Sequence, residues 1–194
     1  LAANGDTMWA HSYGTAFYDF GQWGIETLEG GFFFIGSSLT VGNGWDIFLI
    51  KTNALGDTLW TRTYNGANNS EDEANAIAVD ASGNVYVTGY ADNNISGDDY
   101  VTIKYSSSGS VLWIATYNST YNRDDIAADI AVDASGNVFV TGESYVDALS
   151  TDEDFVTIKY NSSGSQQWLI RYAAPGNSLD KPEAIGVEGT GNPI

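Results

Sequence analysis

A block of thirteen residues, IAVDASGNVYVTG from Ile77 to Gly89, returns with one change as IAVDASGNVFVTG from Ile130 to Gly142. A chain that reuses a block this closely is built from stacked copies of one unit. Inside the block, Ile77 and Val79 alternate with Ala76 and Ala78, and Val85, Tyr86, Val87 and Thr88 are strand formers. The five residues between them, Asp80 to Asn84, read as a turn. Asp80 and Ser82 can bond nearby backbone, and Gly83 can take positive φ. The tract also resembles part of a calcium loop, but it is too short for an EF-hand and no glutamate closes it.

The rest of the chain repeats around this hairpin. Trp9, Trp60, Trp113 and Trp168 follow glycine turns and lie 51, 53 and 55 residues apart, each with Tyr or Arg-Tyr in the next four positions. A further strand recurs at Asp46–Lys51, Asp99–Lys104 and Asp154–Lys159. Gly30 and Gly31 mark a diverged copy of the opening hairpin, running from Asp19 to Gly36. Each unit thus holds four consecutive strands, A to D, in about fifty-three residues. The expected fold is all-β: a β-propeller of four-stranded antiparallel blades, about three and a half of them in this chain. The units fall at 1–15 (outer strand of a preceding blade), 16–66, 67–119, 120–174 and 175–194, where Glu183–Glu188 would open a following blade. A β-sandwich is the alternative, but sandwiches have no need of near-identical units.

The Ile77–Gly89 block together with Tyr100–Tyr105 resembles the bacterial seven-bladed β-propeller repeats. The first unit, with Gly30-Gly31, Asp46–Lys51 and Gly56–Trp60, is similar to related Gly-Gly-type propeller repeats of secreted proteins. The resemblance covers nearly the whole chain and implies an extracellular or cell-surface protein. The single Trp45-Asp46 pair does not make a WD40 repeat, because the other units carry Asp98-Asp99 and Glu153-Asp154 there. Rings of this kind close at about four to eight blades. Two arrangements would complete this arc: the chain belongs to a longer protein, or two copies share a ring. Open blade edges also permit self-association, including growth into a fibre.

With 25 acids against 7 bases the net charge is −18, which repels nucleic acid and anionic lipid. No apolar run reaches the length of a membrane helix, so membrane insertion is not expected. The absence of Cys excludes disulfides, thiol nucleophiles and zinc–thiolate sites. An enzyme is not expected either. The sole histidine, His11, occupies a strand position held by Arg62, Ala115 and Arg171 in the other units. No nucleophile elbow, P-loop or metal–histidine cluster occurs. Carboxylate pairs suited to glycoside hydrolysis are abundant, but they recur in every unit, whereas an active site should break the symmetry.

Antiparallel order puts the A–B and C–D turns at one end of every blade and the B–C and D–A loops at the other. The first end is short and uniform. At the second, the interval from strand B to strand C changes, from 10 residues (Gly36–Asp46, Gly89–Asp99) to 12 (Gly142–Asp154). Loops that vary on one face of a repeat protein often form its binding surface. This face is acidic, gathering Glu71–Glu73, Asp98-Asp99, Asp124-Asp125, Asp152–Asp154 and Asp180. Its expected partner is a protein or a polysaccharide. Asp72, Asp99, Asp125, Asp154 and Asp180 are candidate ligands for a hard cation, calcium being the one that suits oxygen donors; no other cofactor is expected. The competing account, which is favoured, has each Asp accepting backbone N–H bonds at the start of a strand. Glycosylation sequons occur at Asn68, Asn94, Asn118 and Asn161. Trp23, Trp45, Tyr121 and Tyr145 could stack on sugar rings or pack between blades.

Overall fold

The computed structural model describes residues 9–42, 44–67, 69–93, 97–145, 153–173, 180–188 and 193–194. It contains twelve strands in three four-stranded antiparallel sheets. Blade 1 is β1 (Asp19–Glu26), β2 (Phe32–Thr40), β3 (Gly44–Thr52) and β4 (Thr58–Tyr64). Blade 2 is β5 (Asp72–Val79), β6 (Val85–Asp92), β7 (Asp98–Tyr105) and β8 (Val111–Tyr117). Blade 3 is β9 (Asp125–Val132), β10 (Val138–Tyr145), β11 (Glu153–Tyr160) and β12 (Gln166–Tyr172). In each sheet the spatial order follows the chain, so the A strands β1, β5 and β9 form one edge and the D strands the other.

The repeated turn forms as its residues dictate. Asp80 Oδ1 accepts the N–H groups of Ser82 and Asn84, both at 2.9 Å, and Gly83 takes φ +76°. Asp133 and Gly136 do the same in blade 3. The carboxylate is consumed by its own turn, which leaves it no role in a calcium loop.

The sheets stack face to face and share two apolar cores. Phe33, Ile35, Ile47 and Leu49 of blade 1 meet Ala74, Val85, Val87, Val101 and Ile103 of blade 2. Ala76, Tyr86 and Tyr100 of blade 2 meet Ala127, Ile130, Val138, Val140, Val156 and Ile158 of blade 3. The blades are wedges. Along the inner edge the packed residues are small, as at Ala74, Ala76 and Ala127, whereas Trp60, Tyr64, Trp113 and Tyr117 fill the outer part. Small residues let β1, β5 and β9 approach one another while the aromatic edges splay, which produces rotation about an axis.

A hydrogen-bonded hook joins successive blades on the outer side. The Trp60 indole N–H donates to Ser107 O in the C–D turn of blade 2 (3.3 Å), and Trp113 donates to Ser162 O in that of blade 3 (3.2 Å). A buried lysine joins each one: Lys51 Nζ donates to Ser107 O, and Lys104 Nζ to Ser162 O. These lysines lie over the rings of Phe33 and Tyr86, with Nζ 5.4 and 4.9 Å from the centroids. Trp9 makes the same donation to Ala54 O (3.1 Å), in the C–D turn of blade 1.

The segment expected to open a further strand at Glu183–Glu188 forms a single bridge, Val187 to Pro193, with reciprocal Gly186 and Ile194 bonds at 2.9 Å. Residues 9–15 belong to no strand.

Candidate functional site

The two ends of the stack differ as the loop lengths predict. At one end every connection is a tight turn closed by the same pair of backbone bonds, as at Asp80–Asn84, Ser106–Ser110, Asp133–Asn137 and Asn161–Ser165. At the other end lie the acidic loops. There the Asp98 N–H donates to Asp124 Oδ1 at 3.3 Å. Burial, and then the charges of Asp124, Asp92, Glu71 and Glu73, push its carboxyl up to about 6. The side chains of Glu73 and Asp98 also push the half-buried Tyr90 phenol up, after burial itself.

Two of the candidate cation ligands, Asp72 and Asp125, hold loops. Asp72 is fully buried, and its Oδ2 accepts the Gly66 N–H at 2.5 Å. Asp125 is also fully buried and accepts the Ser119 N–H at 2.5 Å. Asp19, more exposed, accepts the Thr15 N–H at 2.8 Å. In all three the carboxylate at the head of strand A ties down the loop arriving from the previous blade, two residues past its D-strand tyrosine. Asp99 takes a side-chain bond from Asn93. Asp154 is buried and Asp180 half-buried, and both are engaged by neighbours. Asp152 lies outside the described residues. Among the described residues no three His, Asp or Glu side chains converge as a metal site would require. Even so, Asp72 and Asp125 each keep one buried oxygen, Oδ1, without a hydrogen-bond partner.

Two of these acids give the fold a pH dependence. Burial raises Asp72 to about 6, the Gly66 N–H opposes this, and Asp46 and Asp92 add to it. A carboxyl raised on folding contributes stability that is complete below its usual 3.8 and is lost as pH rises through about 6. Asp80 and Asp133 act oppositely. Burial pushes them up, but the bonds from Asn84 and Tyr86, or from Asn137, with the turn N–H groups, outweigh it and hold them low. Their contribution is lost only as pH falls below the usual carboxylate range. The melting temperature should therefore rise as pH falls from 7.5 to 5, and Asp98→Asn should flatten that slope. A flat profile in the unsubstituted protein would contradict the burial described for Asp72 and Asp98.

Residues 60–96 match a family model described as a beta-propeller repeat. That stretch is similar to a β-propeller repeat. No curated protein matches the chain. The matched stretch runs from Trp60 on the D strand of blade 1 through strands A and B of blade 2, so the sequence repeat straddles a blade junction. It includes both the hook residue Trp60 and the tie residue Asp72.

In the propeller the remaining candidates separate. Asn118 is exposed, and its amide donates to Asn122. The Asn161 carbonyl caps its own turn by accepting the Ser163 and Ser165 N–H groups. Asn68 and Asn94 lie outside the described residues. Trp45 packs on Phe20 at 5.0 Å, Tyr145 carries the Arg123 guanidinium 3.9 Å from its centroid, and Tyr121 is exposed. His11 sits between Trp9 and Tyr13 as a packing residue. The residues that sequence reasoning missed are the glycines of the Val-Thr-Gly motif at 87–89 and 140–142, and Gly36 at the same place in the diverged copy, where Phe34-Ile35 precedes it. A side chain on Gly36, Gly89 or Gly142 would strike a strand-A carbonyl, of Phe20, Glu73 or Ile126 respectively. The repetition of Thr-Gly in the block was the available signal.

Proposed function

We propose that this propeller is a non-enzymatic extracellular scaffold whose acidic loop end receives a protein or polysaccharide partner. The contrast between the ends carries the reading: one end spends its polar groups on identical turns, while the other holds Asp98 at the half-exposed surface with four carboxylates that repel it. Retaining such repulsion lowers stability, so it favours a role in meeting something outside the fold. The resemblance to repeats of secreted bacterial proteins supports the extracellular setting.

Zero-length carbodiimide cross-linking on intact producing cells tests both parts. Cross-links should fall on Glu71, Glu73, Asp98 and Asp124 and spare Glu29 and Asp57 at the tight-turn end. Cross-links concentrated on Glu29 and Asp57, or an intracellular location on fractionation, would sink the proposal. So would hydrolysis of a polysaccharide panel. The unpartnered Oδ1 atoms of Asp72 and Asp125 favour a second, narrower reading in which calcium binds at the loop end with backbone and water oxygens completing its shell. In the same preparation millimolar calcium should then raise the melting temperature; no shift removes the cation.

A further inference from the structure

The concave wall formed by the inner strands holds a site of different character. Every A strand is interrupted by a β-bulge at the same place: between Gly21 and Trp23, between Ala74 and Ala76, and opposite Thr141/Gly142 on β9. The extra residue is Gln22, Asn75 or Ala128, and a bulge re-aims the side chains beside it. The next residue is Trp23, Ala76 or Asp129, with Ala184 at the corresponding place in the terminal segment. Here the near-perfect repeat gives up its symmetry.

We propose that this wall binds saccharide chains, with the indole of Trp23 as the platform for a sugar ring. Trp23 is 63% exposed. Trp9, Trp45, Trp60, Trp113 and Trp168 each contact another aromatic ring, whereas Trp23 makes no such contact among the described residues. It lines two adjoining cavities on the wall, of about 530 and 360 Å³, and Glu183 lines both as well. Volumes of about 300–1,000 Å³ suit small-molecule sites. Around the indole the wall offers donors and acceptors together: Gln22, Asn75, Glu183, and the Lys181–Glu143 ion pair at 2.5 Å. Hydroxyl-rich rings need both kinds of partner, one apolar face and several polar edges.

A cationic ligand fits this wall less well. Recognition of an ammonium group relies on an aromatic face joined by unspent charge or by further rings. Among the described residues Trp23 is the single aromatic on these two cavities. Of the carboxylates lining the two cavities, Glu143 is paired with Lys181 and Asp129 accepts the N–H groups of Ile130 and Ile185, both at 2.8 Å, which leaves Glu183 as the remaining one.

The inference lies beyond the loop-end proposal, and the two fail separately, because cross-linking reports on Asp98 and its neighbours while this test reports on Trp23. Native electrophoresis in gels containing soluble β-1,4-glucan, xylan, galactomannan or dextran measures binding directly. At least one should retard the protein. Trp23→Ala should weaken that retardation by about tenfold or more, while Trp23→Tyr keeps most of it. Since the side chain is exposed, both variants should melt with the parent protein, which separates lost binding from lost folding. No retardation in any of the four gels overturns the inference, as does equal retardation of Trp23→Ala. Polylysine binding that depends on Trp23, without polysaccharide binding, would assign the wall to cations and also overturn it.

Discussion

Replacing Tyr86 with alanine should lower the unfolding free energy by about 3–5 kcal/mol, the cost of deleting a large aromatic side chain from a closed core. Tyr86 has no exposed surface and is shared by the core between blades 2 and 3. Its ring meets Trp113 edge-on at 6.1 Å and lies under Lys104. Its hydroxyl donates to Asp80 Oδ2 at 2.9 Å. Truncation opens a cavity and strips a nearly buried ammonium of the ring beneath it. Tyr86→Phe should cost only about 1–2 kcal/mol, the worth of the lost bond to a carboxylate. Blade 3 already uses Phe139 at this position, with Lys159 above the ring and Trp168 beside it. Urea unfolding of the two variants checks this. A loss under about 1 kcal/mol for Tyr86→Ala would mean that the blades do not depend on a common core.

Gly89→Ala should be nearly as damaging, at about 3 kcal/mol, the upper end of overpacking. Its added Cβ would lie 1.9 Å from Glu73 O and 2.9 Å from the carbonyl carbon, and both atoms are backbone. Neither can rotate away, so β5 must move off β6 or lose its bulge. Losing the bulge shifts the strand by one residue and exchanges its buried and exposed faces. Gly83→Ala provides the contrast. That glycine sits at φ +76° with its nearest atom, Ser107 Cβ, at 3.5 Å, so only the backbone preference is lost, about 1 kcal/mol. Thermal melts of the pair separate crowding from torsion. If the two variants melt alike, the close approach at Gly89 does not constrain the blade.

The repeat made most of the fold legible. The Ile77–Gly89 block, its turn and the strand at Tyr100–Tyr105 occur where period-two patterning and glycine placement put them. Long-range partnerships were not legible. Lys104 donates to Ser162 O, 58 residues later, with Asp80 at 4.0 Å. Nothing local marks such a pair. The acids were ambiguous for a related reason. A carboxylate that ties a loop and one that holds a cation need the same residue in the same place, and the tie at Asp72 and Asp125 became visible only through burial with an N–H at 2.5 Å. Trp23 and Trp45 looked alike in sequence. A bulge turned one outward, and the neighbouring Phe20 covered the other.

The Trp60–Ser107 and Trp113–Ser162 hooks have an evolutionary corollary. Each unit carries a plug on its outer strand and a matching receptacle on its outer turn. A tandem gene duplication therefore delivers a finished joint along with the extra segment, and no compensating change elsewhere is required. Lineages built from this unit should differ readily in the number of copies and only slowly in the letters that make the joint.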